Sequence, residues 1–150
     1  MSGLTVVRAS AADLDICAEL RHQLWPHLAV DSHRAEIVDA LSEPGRLVAF
    51  LCVDLNGEAI GFAEASVRSD YVNGCETSPV AFLEGIFVRS PVRRQGVATA
   101  LVNAVAAWAR SKGLTELASD AELSNTISHA MHEALGFEET QRVVCFRRRL

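Results

Sequence analysis

The stretch VAFLEGIFVRSPVRRQGVATALVNAVAAWARSKG, Val80 to Gly113, joins an apolar strand, a basic turn and a small-residue helix. Val80 to Val88 is an apolar run of strand length. The chain then turns through Ser90-Pro91, and the segment Gly96 to Lys112 reads as a helix closed by Gly113 at its C-terminal end. Arg93, Arg94 and Gln95 stand at the mouth of that helix. The first N–H groups of a helix have no internal partner, and the macrodipole makes that end partly positive. A glycine there lets a phosphate approach the backbone, and neighbouring arginines add charge-assisted contacts. Read alone, the stretch leaves two possibilities open: an anion site, or exposed arginines and a turn glycine at the start of a solvated helix. It contains neither GxxxxGK[ST] nor GxGxxG, so it is not a P-loop or a dinucleotide fingerprint.

Upstream, Leu4 to Ser10 reads as a short strand ending in an N-cap serine, and Ala11 to Leu24 as a helix stopped at Trp25-Pro26. Ser32 to Leu41 is a second helix, ended by Pro44-Gly45. Leu47 to Leu55 and Ala59 to Arg68 read as strands joined by Asn56-Gly57, a tight-hairpin signal with positive φ expected at both positions. Asp70 to Pro79 is a loop. Downstream come a short strand, Thr115 to Ser119, a helix from Asn125 to Leu135 ending at Gly136, and a last strand, Val143 to Arg148. The order β-α-α-β-β-β-α-β-α-β predicts one mixed α/β domain over residues 1–150, with helices on both faces of a single sheet.

Composition limits the partners. A chain of 150 residues with 49% apolar and 22% charged residues is long enough for a real core and globular in character. A net charge of −5 argues against nucleic acid or an anionic membrane as the main partner. Arg147-Arg148-Arg149 reads as a solvated tail. The four cysteines, Cys17, Cys52, Cys75 and Cys145, form no CxxC and suit a reducing cytosol as small core residues. The N-terminus lacks a signal-peptide pattern, and Gly96 to Ala109 is too short to span a bilayer. These features predict a soluble cytoplasmic domain.

Within that frame, Arg93-x-x-Gly96-x-Ala98 matches the (Q/R)xxGx(G/A) pattern of the GNAT superfamily of acyl-CoA N-acyltransferases. Asn125 and Leu135-Gly136-Phe137 stand where that superfamily carries its helix asparagine and LGF. The blocks QLWP (Gln23–Pro26), DYVNG (Asp70–Gly74), SPVAFLEGIFV (Ser78–Val88), ASD (Ala118–Asp120), NTIS (Asn125–Ser128) and ALGFEET (Ala134–Thr140) resemble the aminoglycoside 6′-N-acetyltransferases. The resemblance implies the GNAT fold, a mixed and mostly antiparallel central sheet with helices on both faces, and a homodimer using the C-terminal strand. It implies acetyl-CoA as co-substrate in a cleft beside Val80–Val88. Ile86, Phe87 and Val88 would pair with the pantetheine arm through their backbone. Arg93, Arg94, Gln95, Gly96, Val97 and Ala98 would hold the pyrophosphate, and Asn125 would touch the cofactor.

On the acceptor side the resemblance implies Trp25, His27, Tyr71, Glu84 and Asp120, with Gln141 where relatives tend to carry a glutamate. His22 and His33 compete with His27 for its role. Glu84 also stands out on its own: a lone carboxylate in an apolar strand is expensive to bury unless paired, which favours a site role. Asp120 could instead cap the next helix, and Trp25 could be core. Glu84 and Asp120 are the candidate bases in a direct ternary-complex transfer, with a strand amide near Val88 meeting the oxyanion. His132 stands where many relatives place a tyrosine that protonates the leaving thiolate, and also reads as a helix-surface histidine. His129 and His132 lie three apart, but no third ligand accompanies them, so no metal is expected. Two other readings remain: acetylation of a peptide amino terminus or another small amine, and a non-catalytic acyl-CoA-binding module.

Overall fold

The computed structural model describes residues 3–90, 93 and 96–150. Its elements are β1 (Thr5–Arg8), a 3₁₀ turn at Ala11–Asp13, α1 (Leu14–Leu24), α2 (Val30–Leu41), β2 (Leu47–Val53), β3 (Ala59–Arg68), β4 (Val80–Val88), α3 (Val97–Ser111), β5 (Leu117–Ala118) and α4 (Thr126–Ala134). The strands form one sheet in the order β1-β2-β3-β4-β5. The first four are antiparallel, and β5 joins β4 in parallel after the α3 crossover. The expected mixed, mostly antiparallel sheet is therefore present.

Two cores lie on opposite faces. Val97, Leu101, Val105 and Trp108 of α3 meet Ala63, Ala65, Ala81 and Leu83 of β3 and β4. Cys17, Ala18 and Leu20 of α1 and Ile37 of α2 meet Leu51 and Phe62 on the other face. Alanines on the α3 face let the helix lie close. At Gly61 an added Cβ would stand 2.6 Å from Val97 and 3.1 Å from Leu101, so this position must lack a side chain.

Local signals mostly produce the expected elements, with three corrections. Ser10 and Asp13 cap the first helical segment reciprocally: the Ser10 N–H donates to Asp13 Oδ2 at 2.9 Å. The β2–β3 turn is one residue longer than a two-residue hairpin. Asp54 exchanges backbone bonds with Gly57 and Glu58, both 3.0 Å, and Gly57 supplies φ 77. Leu55, Asn56 and Gly57 thus form a three-residue loop with a glycine bulge. Of the cysteines, only Cys17 and Cys52 are core; Cys75 is half-buried and Cys145 exposed. Finally, Val143 to Arg148 forms no strand, and the segment after Phe137 carries no regular structure. Its apolar side chains lie open, with Val144 78% and Phe146 92% exposed.

Candidate active site

β5 pairs with β4 at only two positions, Ala81 with Leu117 and Phe82 with Ala118. Beyond them, Leu83 and Gly85 to Val88 pair with β3 on one side and, among the described residues, face no strand on the other. Ile86, Phe87 and Val88 therefore carry an open backbone edge that an extended ligand can join as a further strand. Directly after it, Gly96 takes φ 82 at the N-cap of α3. No side chain caps this helix and no acid sits in its first turn, so the N–H groups around Val97 and Ala98 stay available to an anion. Arg93 is anchored beside them, its Nε donating to the Val88 carbonyl at 3.1 Å. Arg94 and Gln95 lie outside the described residues. Asn125 caps α4 by accepting from the Ser128 N–H at 3.1 Å, which leaves its amide NH₂ as a donor.

The acceptor candidates do not all meet. Tyr71, Asp120 and Gln141 line one wide cleft of about 1460 Å³, together with Arg68, Phe82 and His132. Glu84 lines a smaller cavity of about 200 Å³ with Arg21, Glu36 and Glu64. Arg68 joins the two spaces. It lines the cleft, lies over the Phe82 ring with Cζ 3.5 Å from the centroid, and grips Glu84 through Nη2 at 2.7 Å and Nε at 3.0 Å. Ser66 Oγ adds a bond of 2.5 Å. The cost of burying Glu84 is thus already met by partners on β3. A β-bulge sets its direction: Ala65 pairs with Leu83 and Glu64 with Gly85, leaving Glu84 as the extra residue.

Trp25 follows α1 and lies over Gly85, where an added Cβ would come within 2.5 Å of its ring. His33 is buried, stacks on Trp25 at 6.5 Å with a 21° interplanar angle, and bonds the Trp25 carbonyl through Nε2 at 3.0 Å. His22 Nδ1 is taken by the Leu28 carbonyl at 2.8 Å, whereas His27 is exposed. Tyr71 is 69% exposed on its loop. That loop is tied to the start of β5 by Glu116, which accepts from the backbone of Glu76 and Thr77 at 2.9 and 2.7 Å. These bonds, led by the Thr77 hydroxyl, hold the Glu116 carboxyl below its usual value of 4.5. Asp120 is exposed and does not cap α4, whose N-cap is Asn125.

Two features escaped sequence reasoning. Glu64 is a second carboxylate in an apolar strand; burial pushes its carboxyl up, and Arg21 opposes this through charge and a 3.0 Å hydrogen bond. The signal that singled out Glu84 applies to it equally. His132 is not a surface histidine: it is half-buried, Nδ1 is 2.7 Å from the Ser128 carbonyl and Nε2 2.7 Å from Ser119 Oγ. A nitrogen facing a carbonyl carries the proton, so Nε2 accepts from the Ser119 hydroxyl and ties α4 to the end of β5 beside Asp120. Among the described residues no cluster of His, Cys, Asp and Glu has the form of a metal site, and no helix is long and apolar enough to cross a membrane.

A strand edge open to an extended ligand, a helix start open to an anion and a cleft lined by the exposed carboxylate of Asp120 are features of an enzyme that brings an anionic extended donor to a cationic acceptor. Residues 14–137 match the acetyltransferase (GNAT) family, and the chain belongs to it. The aminoglycoside N(6')-acetyltransferase type 1 of Salmonella typhimurium is 51% identical over 136 residues, covering 91% of this chain and 92% of that one. Its namesake from Acinetobacter baumannii is 47% identical and covers 98% and 99%. Among solved structures, AAC(6')-Iy in complex with the bisubstrate analog CoA-S-monomethyl-acetylneamine superposes with a TM-score of 0.94 at 46% identity, covering 99% and 100%.

Proposed function

We propose that this protein, a single N-acetyltransferase domain, transfers the acetyl group of acetyl-CoA to the 6′-amino group of aminoglycoside antibiotics and so confers resistance to them. The observation that carries the reading is an open Ile86–Val88 edge followed by an α3 start with no side-chain cap, in a chain about half identical to enzymes of that name that also has a cleft lined by Tyr71, Asp120 and Gln141. The edge suits the pantetheine arm. Arg93, Gly96, Val97 and Ala98 suit the pyrophosphate, joined by Arg94 and Gln95, and the Asn125 amide suits the same ligand.

A polycationic drug suits the cleft side with Tyr71, Asp120 and Gln141, and Trp25, His27 and Glu84 are its further contacts in this reading. The 6′-ammonium gives up a proton to Asp120 or Glu84, directly or through water. The freed amine attacks the thioester carbon while a strand amide near Val88 meets the oxyanion. The C–N bond forms, the C–S bond breaks, and the proton lost by the attacking nitrogen passes to the departing sulfur, so that coenzyme A leaves as the thiol. For Glu84 to take part, an ammonium must replace Arg68 as its partner.

Steady-state kinetics with aminoglycosides bearing 6′-NH₂ or 6′-OH test the reaction. Turnover confined to the 6′-NH₂ drugs supports it; a much higher kcat/KM on a peptide amino terminus would move the activity to other amines. The variant Glu84→Gln/Asp120→Asn should lose acetylation yet still bind acetyl-CoA, and full turnover would refute the base assignment.

The physiological unit in this reading is a cytoplasmic homodimer. The free thiols and the need for acetyl-CoA fit the cytoplasm. The exposed Val143, Val144 and Phe146 fit pairing of the C-terminal segment with a second copy. Light scattering should give twice the chain mass, falling to one when residues 142–150 are removed.

A further inference from the structure

We propose that Arg21 is a positioning residue for the amine acceptor: its guanidinium fixes the Trp25 ring and the Glu64 carboxylate in one arrangement behind Glu84. Acceptor binding then depends on Arg21 and acetyl-CoA binding does not. The inference rests on the reading of Trp25 and Glu84 as acceptor residues.

Arg21 stands on α1 one turn before Trp25, whose backbone N–H donates to the Arg21 carbonyl at 2.8 Å. Its side chain is only 10% exposed. From there it reaches two other elements and the ring that caps its own helix. Nη1 bonds Glu36 on α2 at 2.7 Å, Nη2 bonds Glu64 on β3 at 3.0 Å, and Cζ lies 5.1 Å from the Trp25 ring centroid. Nε is buried with no partner. A buried guanidinium with an orphaned N–H is costly, and well-packed apolar residues often replace buried ion pairs without loss of stability. What an apolar residue cannot do is hold two carboxylates and an aromatic face in the rigid fork of one planar group.

That arrangement bears on the acceptor side twice. The Trp25 ring is bounded by the Arg21 cation, the stacked His33 ring and the bare Gly85 backbone, so its placement is set on several sides. Glu64 pairs across the sheet with Gly85, next to the bulged Glu84. Arg21 supplies the charge that offsets Glu64. Without it, Glu64 would stand uncompensated behind Glu84 and compete for cations or take up a proton. Among the described residues, no hydrogen bond or ion pair of Arg21 reaches the α3 start or Ile86–Val88, where acetyl-CoA is read to bind.

The test uses Arg21→Lys and Glu64→Gln, each in a Trp108→Phe background so that Trp25 is the sole tryptophan. KM for a 6′-NH₂ aminoglycoside, KM for acetyl-CoA, iodide quenching of Trp25 fluorescence and thermal midpoint are measured for each. Both variants should raise the aminoglycoside KM about tenfold, the size expected for weakening the buried charged hydrogen bond between Arg21 and Glu64 that each variant alters. The acetyl-CoA KM should stay within about twofold, and Trp25 should quench more readily. A lower thermal midpoint with both KM values and the quenching unchanged would mean a purely structural role and overturn the proposal. Trp25→Ala separates the two ways of failing. If it raises the aminoglycoside KM while the Arg21 and Glu64 variants do not, the positioning role alone falls. If it too leaves that KM unchanged, the acceptor reading of Trp25 falls and the proposal with it. Should Arg21→Lys fail to fold, Glu64→Gln keeps the side-chain shape and decides the matter.

Discussion

Replacing Gly85 by alanine adds one methyl group beneath Trp25, and its effect can be worked from distances. The new Cβ would lie 2.5 Å from Trp25 Cη2, 2.7 Å from Cζ2 and 3.0 Å from Leu24 Cδ2. Carbon atoms pack at about 3.5–4.0 Å, so the ring must retreat by roughly 1 Å. Gly85 does not occupy the left-handed region, so the backbone accepts alanine and the cost is steric. Retreat is opposed by the Arg21 cation and the stacked His33 ring. Overpacking of this kind costs about 1–3 kcal/mol. If that strain is relieved by misplacing Trp25, aminoglycoside affinity should fall by a factor of about 5–150. Acetyl-CoA affinity should be unchanged. The assay is initial-rate kinetics with each substrate varied in turn, alongside thermal melting. Trp25→Phe removes the outer ring atoms that clash, so Gly85→Ala/Trp25→Phe should recover thermal stability lost in Gly85→Ala. A Gly85→Ala enzyme with wild-type aminoglycoside KM would refute the reasoning, because the acceptor would then be indifferent to the position of Trp25.

Other perturbations separate the remaining parts of the site. Gly61→Ala should push Val97 and Leu101 away from the sheet, shift the start of α3 and raise the acetyl-CoA KM while leaving the aminoglycoside KM alone; the reverse pattern would contradict this division. Arg68→Met releases Glu84 from its half-exposed partner, worth about 1 kcal/mol, and should lower the aminoglycoside KM about fivefold. A higher KM would show that Arg68 assists the acceptor and does not compete with it. Glu116 has a carboxyl lowered in the folded state, so its contribution is fully present above the usual 4.5 and is lost as pH falls through the lower folded value. The gap in thermal midpoint between wild type and Glu116→Gln should therefore be widest near neutrality and close in acid, and a constant gap would rule out this linkage. Cys17 is pushed up to about 12, chiefly by burial with Asp13 and Glu64 adding to it, and should resist iodoacetamide until the protein is denatured. Mass spectrometry finding Cys17 alkylated in native protein would show the α1 core to be open.

The two halves of the site differ in how they are written in the chain. The donor half is contiguous: an apolar strand, a basic turn, a glycine and a small-residue helix lie within Val80–Ser111, and the backbone of those residues makes the binding features. Periodicity and helix-end chemistry suffice to read it. What they could not supply is that the edge of β4 stays open, because this depends on β5 pairing only at Leu117 and Ala118. The residues proposed for the acceptor lie on distant segments, and no local pattern links Trp25, Tyr71, Glu84 and Asp120; a resemblance of ordered blocks gathered them. Even so, the partners of each were hidden. Glu84 looked unpaired because Ser66 and Arg68 lie on another strand, and their approach depends on the β3–β4 register and its bulge. Glu64 and Arg21 stayed invisible for the same reason, being 43 residues apart. The apolar residues Val143 to Phe146 read as a strand because strand propensity is a preference for a half-buried pleated surface, yet among the described residues no strand pairs with them and their side chains lie exposed. The same sequence signal thus predicts a strand correctly only where a partner surface exists.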